Sequence, residues 1–139
     1  MSFHFDAVSW PAVAASFVAG QIFLTLYFTV IFGKPWAEAY EPGKTPAEHT
    51  QDVPKYTYGI AAACTLALTV CVAVLQASLG AQGVADAALL GLVLSVGLVL
   101  GAMAPGYAFL KKLDAGRLAV GSQVTLTMLV SVILGAWPA

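Results

Sequence analysis

The stretch that decides the fold is residues 85–103, which read ADAALLGLVLSVGLVLGAM. Apart from Asp86, Ser95 and the glycines, every side chain in this stretch is apolar. A membrane β-strand would alternate apolar and polar residues, and this stretch does not. A helix needs about 20 mostly apolar residues to cross a hydrocarbon core of roughly 30 Å. The stretch therefore predicts a transmembrane helix.

The charged residues divide the rest of the chain into similar pieces. They are absent from four windows, namely residues 7–33, 56–85, 87–110 and 118–139. Each window is long enough for one helical span and too short for two. We therefore predict an all-α fold, an integral membrane four-helix bundle that forms a single transmembrane domain over residues 1–139. The spans are predicted near residues 10–32, 57–79, 86–110 and 118–137, with connections at residues 33–56 and 111–117.

The composition supports a location in the membrane. Of the 139 residues, 60% are hydrophobic and 9% are charged, and the mean hydropathy is +0.86. A soluble domain carries roughly 25% charged residues. We expect a multi-pass protein of a cell membrane, with the lipid bilayer as its partner. The net charge of -1 also argues against nucleic acid as a partner, because nucleic acid binding needs a clustered basic face.

The lysine and arginine residues predict the orientation. All six lie in the first and third connections, at Lys34, Lys44, Lys55, Lys111, Lys112 and Arg117. Positively charged residues accumulate on the cytoplasmic side of membrane proteins. We therefore expect both of these connections to be cytoplasmic and both termini to face outward. Trp36 and Tyr40 then belong to the aromatic residues that mark the inner interface.

The first connection contains two signals for short helices. Pro35 suits the first turn of a helix, where its missing N–H costs little. Thr45 and Glu48 have the spacing of a capping box, in which each side chain accepts a backbone hydrogen bond from the other residue. We expect a short interfacial helical segment between the first two spans.

The sequence offers no pattern typical of catalysis. Ionisable side chains are absent from the centres of the predicted spans, where they would mark a proton or ion path. His4 and His49 are expected on opposite sides of the membrane, so they cannot share a metal ion. We expect neither enzymatic activity nor a bound metal or cofactor.

Neutral polar residues occur inside two of the predicted spans. Gln21 and Thr25 lie in the first span, and Gln123 and Thr127 lie in the fourth. Amide groups buried in a membrane need hydrogen-bond partners. These residues either form hydrogen bonds between helices or line a path for a small solute, and the sequence leaves both readings open.

The third span has the small residues of a close-packing helix. Gly97 and Gly101 form a Gly-x-x-x-Gly pair, and Gly91 and Ser95 have the same spacing. Small residues allow the backbones of two membrane helices to approach closely, whether both belong to one chain or not. Pro105 follows one turn later and should kink the helix, because it lacks an amide donor.

The run YFTVIFGKPW at residues 27–36 carries a family resemblance. It resembles the end of the first helix in the bacterial family of small four-helix membrane proteins catalogued as domain of unknown function 1761. The matching residues are Tyr27, Phe32, Gly33, Lys34 and Trp36, with Arg117 and the closing Gly-x-Trp that ends at Trp137. Residues 26–29 read LYFT where the family often has Trp-Tyr-Ser-Pro. The resemblance implies a four-helix fold and a bacterial inner membrane, and it supplies no activity.

Two classes of function remain open. The first is a structural or assembly subunit, which acts as a homo-oligomer or as part of a larger membrane complex. The alternative is a small channel or transporter lined by the neutral polar residues. The first is favoured because four short helices with little mass outside the membrane offer few places for independent chemistry.

Overall fold

The structure is a computed structural model that describes residues 3–137, and in this range it contains helices and no strand. Four helices are long and apolar enough to cross a membrane: α1 (Trp10–Ile31), α4 (Lys55–Leu79), α5 (Gly83–Phe109) and α6 (Leu113–Ala136). Two short helices, α2 (Gly33–Tyr40) and α3 (Pro46–Asp52), lie between α1 and α4. The predicted all-α membrane fold with four long apolar helices is confirmed.

Three of the long helices begin before the spans predicted from hydrophobicity, and α4 does so by two residues, at Lys55. α5 begins at Gly83, and the side chain of Asp86 accepts a hydrogen bond of 2.9 Å from the backbone N–H of Gln82. α6 begins at Leu113, so residues 113–117 belong to the helix and not to the connection predicted there. Asp114 lies in the first turn of α6, where the helix dipole favours a negative charge. A charged residue limits the apolar span, but it does not end the helix.

The central helix of the bundle is α6, which packs against α1, α4 and α5. It has this place because its buried residues are mostly small, and small residues allow neighbouring backbones to come close. They are Ala115, Gly116, Ala119, Val120, Ser122, Leu126, Thr127, Val130 and Ser131. α5 packs along α6 and meets α4 only weakly.

The outer faces of the long helices are apolar and exposed. On α5 these residues include Leu89, Leu92, Val93 and Leu98, which are at least half exposed. In water such a surface would drive aggregation, whereas in a bilayer it contacts lipid tails. The exposed surface therefore agrees with a bundle surrounded by lipid.

Two long helices contain π-helical turns, at Tyr27–Ile31 in α1 and at Ser95–Leu100 in α5. A π turn adds a residue to the helical turn and changes the direction in which the following side chains point. In α1 the π turn directly precedes α2, and it holds Tyr27 in the core. α5 continues as a helix through Pro105 after its π turn.

The chain topology gathers the basic residues at one end of the bundle. The connection between α1 and α4 and the turn between α5 and α6 both lie there, together with all six lysine and arginine residues. We call this end the basic end. The two connections are in contact, because Lys112 Nζ donates a 2.9 Å hydrogen bond to the backbone oxygen of Tyr40.

Candidate functional site

Side chains of the first connection form one group of hydrogen bonds and aromatic contacts at the basic end. We call Trp36, Tyr40, Glu41, Lys44 and His49 the interfacial cluster. Three of them lie on α2 or at its end, and His49 lies on α3. The cluster therefore joins two helices that are too short to be stable alone.

The start of α3 is fixed by the predicted capping box. Thr45 Oγ1 accepts a hydrogen bond of 3.3 Å from the Glu48 N–H, and Glu48 Oε2 accepts one of 2.8 Å from the Thr45 N–H. The hydrogen bond from the Thr45 N–H, and then the one that Thr45 Oγ1 donates to Glu48 Oε2 over 2.7 Å, lower the pKa of Glu48. The capping box sets where α3 begins and so positions His49 one turn later.

His49 is held by partners at both of its ring nitrogens. Trp36 Nε1–H donates to His49 Nε2 over 3.2 Å, and His49 Nδ1 lies 2.6 Å from Glu41 Oε2. Because Nε2 accepts a hydrogen bond, the proton of the neutral ring must be on Nδ1, which then donates to Glu41. The hydrogen bond from His49 is the main cause that lowers the pKa of Glu41, and Lys44 adds to it.

Lys44 closes the other side of the cluster. Its Nζ lies 3.1 Å from Glu41 Oε1 and 2.7 Å from Asp52 Oδ2, so it bridges the end of α2 and the end of α3. The hydrogen bonds to Asp52 and then to Glu41 raise the pKa of Lys44. All three groups are substantially exposed, so water and salt weaken this network.

Aromatic contacts tie the cluster to the rest of the basic end. The rings of Trp36 and Tyr40 stack with centroids 5.1 Å apart, and Tyr40 lies 5.9 Å from the His49 ring. Lys112 Nζ is 4.5 Å from the Tyr40 ring centroid, a cation–π distance. The turn between α5 and α6 is therefore docked on the first connection.

The family-like residues of α1 continue this aromatic group into the bundle. The ring of Phe28 lies 4.9 Å from Trp36, and Tyr27 lies 4.6 Å from Phe32. Gly33 begins α2 in a crowded place, since an added Cβ would lie 3.2 Å from the backbone oxygen of Phe28. The remaining residue of the motif, Lys34, is exposed. The motif thus builds the joint between α1 and α2.

The cluster links α2 to α3 through hydrogen bonds at the ring of His49. Both nitrogens of His49 are engaged, so neither is available to a substrate or a metal ion in this arrangement. A general base must reach the proton that it removes. The geometry of His49 is that of a hydrogen-bonded link between α2 and α3.

A groove of about 340 Å³ lies between α5 and α6, and it reaches the basic end at Leu113 and Arg117. Tyr107 packs closely on α6, because a Cβ added at Gly116 would lie 2.6 Å from its Cβ. Arg117 is the charged residue of the lining, and it pairs weakly with Asp114 at 3.4 Å. The lining residues are Leu100, Ala104, Tyr107, Leu113, Gly116, Arg117, Val120 and Gly121.

The predicted intramembrane polar residues are partly satisfied within their own helices. Thr25 Oγ1 donates to the backbone oxygen of Gln21 over 2.9 Å, and Thr127 Oγ1 donates to that of Gln123 over 2.8 Å. The side-chain Nε2 of Gln21 is buried and has no hydrogen-bond partner within residues 3–137. The two threonine hydroxyls need no partner from another helix or from a solute.

The small residues of α5 divide into two sets. On one face, a Cβ at Gly91 would lie 2.8 Å from Ser131 Oγ, and Ser95 Oγ donates to the backbone oxygen of Val124. On the other face, a Cβ at Gly97 or Gly101 would meet no atom of another helix in the described part of the chain within 4 Å. Pro105 is also exposed. The first set packs on α6, and the second is uncovered.

Sequence reasoning missed the interfacial cluster and the groove. Trp36 and Tyr40 were expected only as interface residues, and His49 as an isolated residue of the connection. Thirteen residues separate the two partners of the bond from Trp36 to His49, and no spacing rule joins them. The capping box was the available signal, because it places His49 on a helix.

Comparison with known proteins identifies the family of the chain. No curated protein and no solved structure matches it. A family model does match, over residues 11–135, and its description is protein of unknown function, DUF1761. This range contains the interfacial cluster and the four long helices except for Trp10 and Ala136 at their two ends, and it confirms the resemblance noted for residues 27–36. The chain therefore belongs to the DUF1761 family of proteins of unknown function.

Proposed function

We propose that this protein is a structural subunit of the membrane that acts as a homo-oligomer or within a larger membrane complex. It associates through the exposed face of α5 and has no catalytic role. The observation that carries the proposal is the pair Gly97 and Gly101, which leaves a smooth strip on the outside of the bundle. Such a strip lets a helix of another chain approach closely, and close packing drives helix association in lipid.

The contrast within α5 supports this proposal. Gly91 and Ser95 pack against α6 of the same chain, and this contact accounts for their small size. Gly97 and Gly101 are exposed and have no such explanation. A glycine in the middle of a helix costs up to about 1 kcal/mol relative to alanine. A second helix on this strip would offset that cost.

Gln21 favours a second candidate, the small channel or transporter. Its Nε2 is buried without a partner, and a buried amide donor is costly unless a hydrogen bond satisfies it. A polar solute or water could meet that need. Against this, Thr25 and Thr127 donate to their own helices, which leaves less polar surface for a path.

The orientation and the membrane are part of the proposal. The basic end carries all six lysine and arginine residues, so we place it in the cytoplasm, with both termini outside. The membrane is then the inner membrane of a bacterium, by the family resemblance.

Replacement of the two glycines tests the association. In Gly97→Ile/Gly101→Ile the branched side chains should hold a second helix away, so that native mass spectrometry in mild detergent finds monomers in place of oligomers. Gly59→Ile is the matched control, because Gly59 lies on α4 with no other helix within 4 Å. Both changes remove helix glycines, so neither should weaken its own helix. A native protein that is extracted with neither a second copy nor another protein bound, or an oligomer unchanged by the double substitution, would contradict the proposal.

Gln21→Leu separates the two candidates. In the channel reading this change abolishes solute flux into vesicles while the fold is retained. In the assembly reading, the native protein gives no flux above that of empty vesicles. Gln82→Leu, outside the spans, is the control for the loss of an amide.

A further inference from the structure

We propose that the groove between α5 and α6 holds one acyl chain of an anionic phospholipid, with the phosphate of that lipid at Arg117. This inference goes beyond the association proposed for α5. It rests on the lining of the groove and on the charges where the groove reaches the basic end of the bundle.

The groove has the length and polarity of one lipid tail. On α6 its lining runs from Leu113 to Gly121, and the eight steps between these residues span about 12 Å at 1.5 Å per residue. One leaflet of a bilayer has a hydrocarbon depth of about 15 Å, half of the whole core. Apart from Arg117 and the hydroxyl of Tyr107, the lining is apolar or glycine. An acyl chain fits this surface better than a polar solute does.

The groove is open to the side on which lipid lies. Leu113 and Leu100, near its two ends, are 57% and 42% exposed. A tail can therefore enter laterally from the bilayer, without passing through the bundle. The volume of about 340 Å³ lies at the lower end of the range for small-molecule sites, about 300 to 1,000 Å³.

The end of the groove that lies at the basic end of the bundle favours a negative head group. Arg117 lines the groove, and Lys111 is exposed in the adjoining turn, without an ion pair among the described residues. Within residues 3–137 no side chain caps the start of α6, and an uncapped helix start favours an anion. Basic pockets between membrane helices bind anionic head groups in this way.

Two neighbouring charges modify the site. Asp114 competes with a phosphate for Arg117, but the pair is 3.4 Å apart and about 80% exposed, so it is weak. Lys112 is directed away, since its Nζ binds the backbone oxygen of Tyr40. The balance at the groove is therefore positive, and it would rise if Asp114 were neutralised.

Lipid retention measures this preference directly. The protein is reconstituted in vesicles of equimolar phosphatidylglycerol and phosphatidylcholine, extracted in mild detergent, and its retained lipids are counted by native mass spectrometry. We expect phosphatidylglycerol to be retained in preference. Arg117→Gln should lower its retention about fivefold and leave phosphatidylcholine unchanged, whereas Arg117→Lys should keep most of the preference. Asp114→Asn should raise the retention of phosphatidylglycerol.

Filling the groove tests the place of the acyl chain. Ala104→Leu and Val120→Leu occupy the groove from its two walls, and each should lower the retention of both lipids. Ala102→Leu, exposed on α5 outside the lining, and Lys55→Gln, a basic residue outside it, are the matched controls. Thermal melting verifies that each variant is folded.

Four outcomes would overturn the inference. The first is equal retention of the two lipids by the native protein. The second is a loss in Lys55→Gln as large as that in Arg117→Gln, which would indicate general charge attraction. The third is unchanged retention in both folded groove-filling variants. The fourth is displacement of phosphatidylglycerol by excess inorganic phosphate, which would indicate an anion site without a bound tail.

Discussion

At the scale of single residues, the basic end depends on how the His49 ring is used. A neutral imidazole has one donor and one acceptor. Here the Nδ1–H of His49 donates to the carboxylate of Glu41, and Nε2 accepts from the indole N–H of Trp36. The indole N–H is thereby satisfied next to the membrane surface, where an aromatic residue with one polar atom is favoured. One side chain on α3 thus fixes two side chains of the first connection.

The lowered pKa of Glu41 predicts how this arrangement responds to acid. Because folding favours the carboxylate, the stability that Glu41 contributes is complete above its ordinary pKa of 4.5 and is lost as the pH falls through the lowered value. We expect the fluorescence of Trp36 to change in that acidic range, in a chain with Trp10→Phe and Trp137→Phe. Glu41→Gln should remove this transition.

Glu38→Gln is the matched control, since Glu38 lies on the same helix and does not contact His49. If Glu38→Gln removed the acid transition and Glu41→Gln kept it, the role assigned to Glu41 would be wrong.

At the scale of elements, the tight contact is the one between α5 and α6. It depends on glycines whose neighbours leave no room for a side chain. A Cβ added at Gly135 would clash with the Cβ of Ala87, and a Cβ added at Gly91 would lie 2.8 Å from Ser131. Serines complete the contact, since Ser95 donates across it to the backbone of α6. The two helices are therefore held by close van der Waals packing at small residues and by a hydrogen bond between them, as is common for helices in a membrane.

Single alanine substitutions in α5 should have opposite effects. Gly91→Ala must push Ser131 or its helix aside, so we expect a loss of about 1 to 3 kcal/mol, seen as a lower melting temperature in detergent. Gly106→Ala meets no other helix within 4 Å and removes a glycine from a helix, so we expect a gain of up to about 1 kcal/mol. A melting temperature that falls equally in both variants would contradict this assignment of the packed face.

The elements also show where a sequence is informative. Long apolar windows and the capping box at Thr45 are local patterns, so the four long helices and the start of α3 were predictable. The π turn at Ser95–Leu100 was not predictable, because its residues are as apolar as their neighbours. The extra residue in the turn does not change the composition of the segment. The approach of α2 to α3 was equally hidden, since it depends on side chains far apart in the sequence. The candidate site was therefore visible only as separate residues.

At the scale of the whole molecule, the bundle is asymmetric along the membrane normal. One end carries six basic residues, two short helices and a docked turn, whereas the other end has a short turn that begins after Gly80, whose φ is +69°. Only glycine adopts this backbone conformation without strain, so α4 ends sharply there. Most of the described residues that lie outside the four long helices are consequently at the basic end.

This asymmetry predicts the orientation of the protein. Basic residues near the ends of spans resist translocation, so the basic end should remain in the cytoplasm and both termini should cross. In a chain with Cys64→Ala and Cys71→Ala, a cysteine at Lys44 should react with a membrane-impermeant thiol reagent only after the cells are opened. A cysteine at Gln82, in the opposite turn, should react in intact cells. Because the prediction depends on charge, replacing the basic residues that remain in each labelled chain with glutamine should yield a mixed orientation, in which both cysteine sites react in intact cells. A reporter at Ala139 that is active only in the cytoplasm would contradict the orientation.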